Sequence, residues 1–506
     1  MSSDPRVNLG TGLPDGAGDE VLGALDRVRI VIRLGAGLTC SAANAAGALV
    51  SMVSRVHPHV RVDGDARLGP NPRGAATVTG VLDLLAPLRP PAGSDAESEL
   101  VVAVGDDVAL ADLWVGGDDW TARMGRRPVP IGPGAIGLGL QGAAALTAAE
   151  LAKLVLGPLG MIHVPASEHL EWNLLDHRLA PASATMTEWE PPVVALLGAG
   201  SVGSSVAGLL VLAGRPGSAW VVDPDTFDGG RNPFRYPSST PGLTGSKAAW
   251  LAGILSRAGW QAEAYSGTVG DWVADRAAPG FDGIAVSSVD SVSGRLQVAD
   301  LLARTTITLG VGGLALHVQR EHLGDGWACP FCQFVVLDPP MTQIQVHAQL
   351  TGLRLERVAE LRLNGGAGVL TGDDVAAAVR AGRLHPDRAP GMVGRRLDDL
   401  VRGAYAEASV PVSGAEPAAV SAPYVSWTAG VLGAAEIIKA TARLPLVDRR
   451  VDLDLSGVPL GLVSRRPADA SGRCVCGPGP RRRWSARLWG DYGDRGRGAA
   501  LPDPGR

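Results

Sequence analysis

The sequence predicts an α/β protein: a mostly parallel sheet with helices on both faces, preceded by a second, related α/β half. Three observations lead there. An apolar strand that runs into a glycine turn and then a helix-compatible stretch occurs twice, first from Arg29 and again from Pro192. The second copy is followed by another apolar strand, as a βαβ unit requires. Finally, 46% of the 506 residues are apolar, enough for two to four packed domains at this length.

Taken in order, residues 1–28 are polar and Gly/Asp-rich and are expected to be a flexible leader. Arg29–Ile32 reads as a strand, Gly35-Ala36-Gly37 as its turn, and the stretch to about Val56 as a helix. The second opening consists of strand Val193–Leu197, turn Gly198–Gly203 and helix Ser204–Leu212. The two copies echo each other: Leu34-Gly35-Ala36-Gly37 matches Leu197-Gly198-Ala199-Gly200, and Ala148–Lys153 (AAELAK) matches Ala434–Lys439 (AAEIIK). An internal duplication explains this, with chance likeness in an Ala/Gly-rich chain as the alternative. The expected domains are 29–180 and 190–480, the second carrying an insertion at about 336–421 with a helix near Asp373–Arg380. From Arg481 to Arg506 the composition turns to Arg, Gly, Asp and Pro, and a mobile tail is expected, with Trp484 and Trp489 its only anchors.

Composition excludes several classes. The net charge is −5 with both signs interspersed, so nucleic acid is not an expected partner. Neither is a membrane: the N-terminus lacks a basic-then-apolar signal, and the most apolar stretch, Ile131–Leu156, is broken by Pro133, Gln141, Glu150 and Lys153. A cytoplasmic protein is expected. Its nine histidines form no metal-ligand spacing. Five cysteines make no disulfide framework, but four lie in close pairs, Cys329 with Cys332 and Cys474 with Cys476, a spacing that suggests a metal.

The second half carries the chemistry. Gly198, Gly200 and Gly203 lie between strand and helix, where backbone amides can approach phosphates at a helix N-terminus. Strand Ala219–Val222 ends in Asp223, twenty residues beyond Gly203 and placed to accept ribose hydroxyls. Read from these alone, an NAD(P)-binding oxidoreductase and an ATP enzyme are both open. The residues downstream of Asp223 separate them: Asp223-Pro224-Asp225, then Asn232-Pro233-Phe234-Arg235, then Lys247 opening a helix, then Asp290 with Arg295 five residues on.

In that order these residues resemble the E1-like (ThiF/MoeB/HesA) adenylyltransferases, over about 285 residues from Pro192 to Cys476. The resemblance implies a Rossmann-like adenylation domain that binds ATP and Mg²⁺. Asp223, with Asp225, would be at the ribose side, Asn232, Arg235 and Lys247 at the phosphates, and Asp290 at Mg²⁺; Arg235, Lys247 and Asp290 would be the catalytic set. It implies adenylylation of a carboxylate, the free C-terminus of a ubiquitin-like protein or a peptide, with release of pyrophosphate. A catalytically dead fold that only presents a peptide is a further alternative. Departures from the family pattern are a loop one residue longer before Arg235 and one shorter after it, and Ser291 in place of the common Asn. The Arg-rich segment before the glycine loop is also missing, Arg178 being the nearest candidate.

Proteins of this kind often clamp one structural Zn²⁺ between two Cys pairs, which here would be Cys329, Cys332, Cys474 and Cys476, although the second pair is Cys-x-Cys rather than Cys-x-x-Cys. A redox pair or free thiols are the competing readings. The remaining Cys40 is expected to be a buried structural residue, leaving no evident thioester cysteine. In the first half, Asp63-Gly64-Asp65 and Asn71-Pro72-Arg73 weakly mirror the Asp223 and Asn232 segments, yet no lysine precedes Lys153. That half resembles the inactive member of paired adenylation halves; a substrate-recognition domain is the alternative. Two halves paired in one chain could replace the homodimer common in such proteins, so a monomer and a homodimer are both open.

Overall fold

The structure is a computed structural model. It describes residues 17–490 apart from 106, 160–164, 183–187, 228–231, 277–279, 322, 324–325, 330, 333–342, 364–367, 382, 385, 387–388, 398–399, 402–421, 443, 445–449, 456–461 and 465–466.

The expected α/β architecture is what the chain forms, as two largely parallel sheets. The first half runs β1 (Val28–Leu34), α1 (Cys40–Val53), β2 (Val60–Asp63), α2 (Val78–Leu84), β3 (Ser98–Val104), β4 (Leu113–Gly117), β5 (Thr121–Gly125), α3 (Leu138–Leu156) and β6 (His169–Asn173). Its sheet order is β2-β1-β3-β4-β5-β6. Strands β1 to β4 are parallel, and β5 and β6 are antiparallel additions. The second half runs β7 (Val193–Leu197), α4 (Ser201–Leu212), β8 (Ser218–Val222), α5 (Lys247–Arg257), β9 (Gln261–Tyr265), α6 (Val269–Asp275), β10 (Phe281–Ser287), α7 (Val292–Asp300), β11 (Ala303–Gly312), β12 (Ala315–Glu321), α8 (Pro423–Thr441), β13 (Arg450–Asp454) and β14 (Leu462–Ser464). Its order is β14-β13-β12-β11-β10-β7-β8-β9, parallel from β9 to β11 and antiparallel from β12 onward.

The second sheet contains the first. Removing its outer strands β9 and β14 leaves β8-β7-β10-β11-β12-β13, which corresponds strand for strand to β2-β1-β3-β4-β5-β6 in both order and direction. The echoed sequences sit at matching places, the glycine turns after β1 and β7, and the AAE-x-x-K strings in α3 and α8. In each string the Glu and Lys form a buried i,i+3 ion pair: Lys153 Nζ lies 2.7 Å from Glu150, and Lys439 pairs with Glu436. Buried charges need such partners, and the second pair also reaches across: Lys439 donates to the Leu175 carbonyl of the first half at 3.1 Å. α3 packs against α8, so the halves meet through matching elements.

Helices cover both faces of the second sheet, so its central strands are buried at consecutive residues, Val194–Leu197 in β7 and Ile284–Ser287 in β10. Ala195, Leu197, Val222 and Ala285 pack under α6 and α7 with Trp272, Val298 and Leu301. α8 lies against β11 and β12 and pairs closely with α4. The helix Leu138–Leu159 is apolar and long enough to cross a membrane, but 78% of its most apolar window is buried inside the protein, as a core helix requires.

The chain separates into two compact units, one formed by Gly23–Phe334 with Ser421–Arg506 and containing both sheets, the other by Met1–Leu22 with Val335–Val420. The smaller unit has its own core of Leu353, Val358, Leu361, Leu370, Val375, Leu397 and Leu400. Its helix Gly372–Arg380 starts in a capping box of Thr371 and Asp374, and Arg357 grips the same Asp374 at 2.9 Å.

Three expectations are overturned by the fold. Part of the leader is ordered: Ala17–Asp26 is a helix, with Asp19 and Glu20 in its first turn, where acids complement the helix dipole. The tail begins with a helix, Pro480–Trp489, fixed by a Trp489 indole bond to the Leu302 carbonyl (2.9 Å), by an Arg481–Asp300 pair (2.5 Å) and by Arg304 stacked on the Trp489 ring. The rest of the tail, 491–506, lies outside the described residues. Cys40 is exposed rather than buried. Thr39 caps α1, which therefore starts at Cys40, whereas α4 starts two residues before the equivalent Gly203. With the helix beginning later, the close packing that demands the third glycine does not arise.

Candidate functional site

The glycine turn 198–203 is built by close approach. Gly198 has φ +102°, and a side chain there would strike Ser288; a Cβ on Gly203 would lie 2.0 Å from the Gly198 carbonyl oxygen. Ser288, just past β10, donates to that carbonyl at 3.1 Å. Gly200 is the N-cap of α4, in extended conformation, and a Cβ added there would meet only the Tyr236 hydroxyl, at 4.0 Å. These contacts expose the start of α4, the positive end of its dipole, at the C-terminal edge of the sheet.

Asp223 directly follows β8 and is buried. One of its carboxylate oxygens accepts the Ala199 amide of the glycine turn at 2.5 Å and the other accepts the Asp225 amide at 2.8 Å. Burial pushes its pKa up, and these two amide bonds oppose that rise. Each oxygen keeps a free acceptor direction, so the group can still receive ribose hydroxyls.

Lys247 is the first residue of α5, whose N-cap is Ser246. The Lys247 side chain is only 10% exposed, and its ammonium lies 2.8 Å from Asp225, which is 64% exposed. Burial lowers the Lys247 pKa, but the bond to Asp225 and the nearby Tyr236, Asp225 and Asp223 more than reverse this. A cation held at a helix N-terminus, against the dipole, suits a site awaiting an anion.

Arg235 ends the one-turn helix Asn232–Arg235, and its Nε is buried with no hydrogen-bond partner among the described residues. The Asn232 side chain lies outside the described residues. Asp290 is exposed beyond β10, and Arg295 bonds the carbonyl of Val289 beside it at 3.0 Å, fixing the turn that presents it. Ser291 caps α7 by accepting the Gly294 amide. Arg178 is exposed and pairs with Asp176, an ordinary surface contact.

Two residues of the site escape a reading of the sequence. Tyr236 is buried against Phe227 and Trp250, and its pKa is raised by burial, opposed by Lys247 and Arg235 nearby. Its only sequence signal is adjacency to Arg235. Ser288, which braces the glycine turn, sits two residues before Asp290 and has no signal of its own.

In the first half the corresponding turn is occupied from within. The Asp107 carboxylate accepts the Ala36 amide at 2.8 Å, where the second half uses Asp223. Asp63, the last residue of β2, is paired with Arg61, and Asp65, which by strand register stands where Asp223 does, accepts from the Thr79 amide and hydroxyl. An internal anion against the turn and no lysine before Lys153 leave this half poorly suited to phosphate.

The four paired cysteines converge. Their sulfurs all lie within 4.8 Å of one another, with Cys329–Cys474 at 3.4 Å, Cys332–Cys476 at 3.5 Å and Cys332–Cys474 at 3.6 Å. A tetrahedral ion with bonds of about 2.3 Å requires sulfur separations near 3.8 Å, so the Cys-x-Cys pair closes the set despite its shorter spacing. The Cys332 amide bonds back to the Cys329 carbonyl, and Asp469 accepts the Cys474 amide, shaping both turns. Four thiols this close cannot all ionise unaided: bonding to Cys476 and burial push Cys329 up, while Cys476 is drawn down to about 5 by its thiol neighbours, Cys329 first.

No protein-family model matches the sequence, and no curated protein does. Solved structures match distantly. The crystal structure of E. coli MccB aligns at 16% identity and TM-score 0.36, covering 56% of this chain and 65% of that one. E. coli MccB with ATP aligns at 14% and 0.34, covering 56% and 66%. The Microcin C7 biosynthetic enzyme MccB in complex with N-formylated MccA aligns at 16% and 0.33, covering 55% and 65%. This chain thus spans just under two thirds of the length of those proteins. Likeness at that level decides nothing about chemistry.

Proposed function

We propose that the second half uses ATP to adenylylate a carboxylate, the C-terminus of a peptide or a ubiquitin-like protein, giving an acyl adenylate and pyrophosphate. One observation carries the reading: a buried Lys247 at a helix N-terminus is wired through Asp225 to Asp223, which is bonded to the glycine turn, so three separate segments build one anion-facing site.

In this reading a carboxylate oxygen attacks the α-phosphorus as the bond to pyrophosphate breaks. Lys247 and Arg235 offset the charge that moves onto the leaving group, the first as a point charge and the second as a planar fork. Asn232 is assigned to the phosphates, Asp223 to the ribose, and Gly198, Gly200 and Gly203 to admitting the nucleotide. Asp290, an exposed carboxylate on a braced turn, fits Mg²⁺, which when bound would neutralise triphosphate charge. The four-sulfur cluster fits a structural Zn²⁺. With four cysteines committed there and Cys40 in the first half, no thioester step is assigned, and the acyl adenylate passes to an acceptor outside this chain. Pairing of the two halves supports a monomer.

Calorimetry with ATP–Mg²⁺ and with NAD⁺ tests this on wild type, Lys247→Ala and Asp290→Ala. ATP binding that weakens in both variants is expected, with pyrophosphate exchange following once the carboxylate is supplied. Preference for NAD⁺, or no nucleotide binding, overturns the reading. A pH series adds a second check. Because the Asp223 pKa is raised, ATP affinity should fall on acidification at a higher pH than an ordinary aspartate near 3.9 would give. Asp223→Asn should bind more weakly and lose that limb; an identical limb in the variant would remove Asp223 from the ribose site.

A further inference from the structure

The first half has no evident nucleotide chemistry, yet it grips one segment of the second half firmly. Residues 236–239 directly follow Arg235. From the end of α1, Arg55 donates to the Ser239 carbonyl at 2.7 Å and to its hydroxyl at 3.2 Å. Ser51 donates to the Pro237 carbonyl at 2.7 Å, and Arg73 donates to the same carbonyl at 3.0 Å. Three donors from one half thus converge on two backbone carbonyls of the other.

Both guanidiniums are deeply buried, Arg55 at 0% exposure and Arg73 at 7%. Burial draws Arg55 down to about 9, with Arg73 beside it adding repulsion, and Arg73 to about 10. Two like charges buried side by side are a costly way to make an interface. A neutral donor would satisfy a carbonyl at less cost, so the rigid, multidentate fork is the property being used.

The gripped segment has little other freedom. Ser239 closes a turn on the Tyr236 carbonyl through its amide (2.9 Å) and hydroxyl (2.8 Å), and Ser238 bonds the Ser204 carbonyl of α4 at 3.1 Å. The loop carrying Asn232 and Arg235 is therefore anchored on its C-terminal side at Tyr236–Ser239. Arg73 belongs to Asn71-Pro72-Arg73, the segment that mirrors Asn232–Arg235, and it also lies over the Trp427 ring of α8 at 5.8 Å. The duplicated phosphate-loop segment has become a brace for its counterpart.

We propose that Arg55 and Arg73 are positioning residues for ATP: from the first half they hold the 236–239 backbone and so aim Arg235 at the phosphates. This rests on the nucleotide site proposed above. Arg73→Ala and Arg55→Ala, with Ser51→Ala as a milder variant that removes one donor, are measured in the full chain. Readouts are ATP–Mg²⁺ affinity, pyrophosphate exchange and hydrogen exchange of the 232–246 amides.

Both arginine variants should weaken ATP binding by about tenfold or more, since a loop misplaced by an ångström can cost up to about 100-fold. Amide exchange at 232–246 should speed up in all three, and Arg73→Lys, which keeps a donor, should recover part of the loss. Because Arg73 acts through Arg235, Arg73→Ala should add little to the defect of Arg235→Ala. Full additivity, or a lowered melting temperature with ATP affinity within twofold of wild type, overturns the proposal. If the wild type binds no ATP, the nucleotide reading is what has failed. The brace is then judged by exchange alone: faster amides at 232–246 keep it, unchanged ones reject it.

Discussion

Lys247→Ala is expected to lower ATP–pyrophosphate exchange by about 10²- to 10³-fold while leaving the melting temperature nearly unchanged, the loss typical when a single donor to developing charge is removed. The two halves of that expectation come from different sides of the same ion pair. Its partner Asp225 is 64% exposed, so deleting the ammonium leaves a carboxylate that water can solvate, and a partly exposed pair of this kind contributes little to stability. The ammonium itself is nearly buried at the start of α5 and faces Tyr236 and Asp223. Holding a cation there works against the helix dipole, which favours the proposed role of Lys247 at an anionic ligand. Lys247→Arg should recover only a fraction of the rate, because a fork in place of a point charge does not fit the same cradle. A large fall in melting temperature with unchanged exchange would make Lys247 a structural residue and leave the anion site without its main cation.

Much of the second half is legible in the sequence because its signals are local. The glycine turn, the aspartate following β8 and the lysine opening α5 each lie where chain direction must change, and such places restrict residue type strongly. The pairing of Lys247 with Asp225, and of Asp223 with Ala199, is not legible, since it depends on how β8 and α5 approach the turn in space. The likeness of the halves is visible in two short strings of sequence, but the strand-for-strand match of the sheets extends it over the whole first sheet, where the sequence carries no signal. Cys40 shows the limit of reading by alignment. Its position matches Gly203, yet Thr39 starts α1 later than α4 starts, and the packing constraint that defines the glycine has no counterpart there. Tyr236 and the brace of Arg55 and Arg73 are hidden for a different reason, because buried cations bonded to backbone carbonyls leave no pattern in a sequence.

The second large effect is expected at the cysteines. The purified chain should carry one Zn²⁺, released when the thiols are alkylated or the protein is acidified, since only thiolates bind the ion and protons compete for them. Cys329→Ser or Cys474→Ser should lose the metal and lower the melting temperature by more than about 10 °C. A structural zinc contributes on the order of 10 kcal/mol of apparent binding free energy, and each kcal/mol moves the midpoint by about 2 to 4 °C in a domain of about 150–250 residues. What the ion would join explains the size. Cys332 and Cys474 are 142 residues apart, and the chain between them includes Val335–Val420, which belongs to the other compact unit. Closing so long a loop restricts the unfolded chain strongly, so losing the closure destabilises the ends it ties, the segment after β12 and the segment after β14. The sulfur separations of 3.4 Å for Cys329–Cys474, 3.5 Å for Cys332–Cys476 and 3.6 Å for Cys332–Cys474 fit a shared ion. Mass spectrometry under native conditions decides between the ion and its rival. A mass increment of one zinc supports the clamp, and loss of two hydrogens per pair would instead make the cluster a redox centre, in which case chelators would leave the melting temperature unchanged.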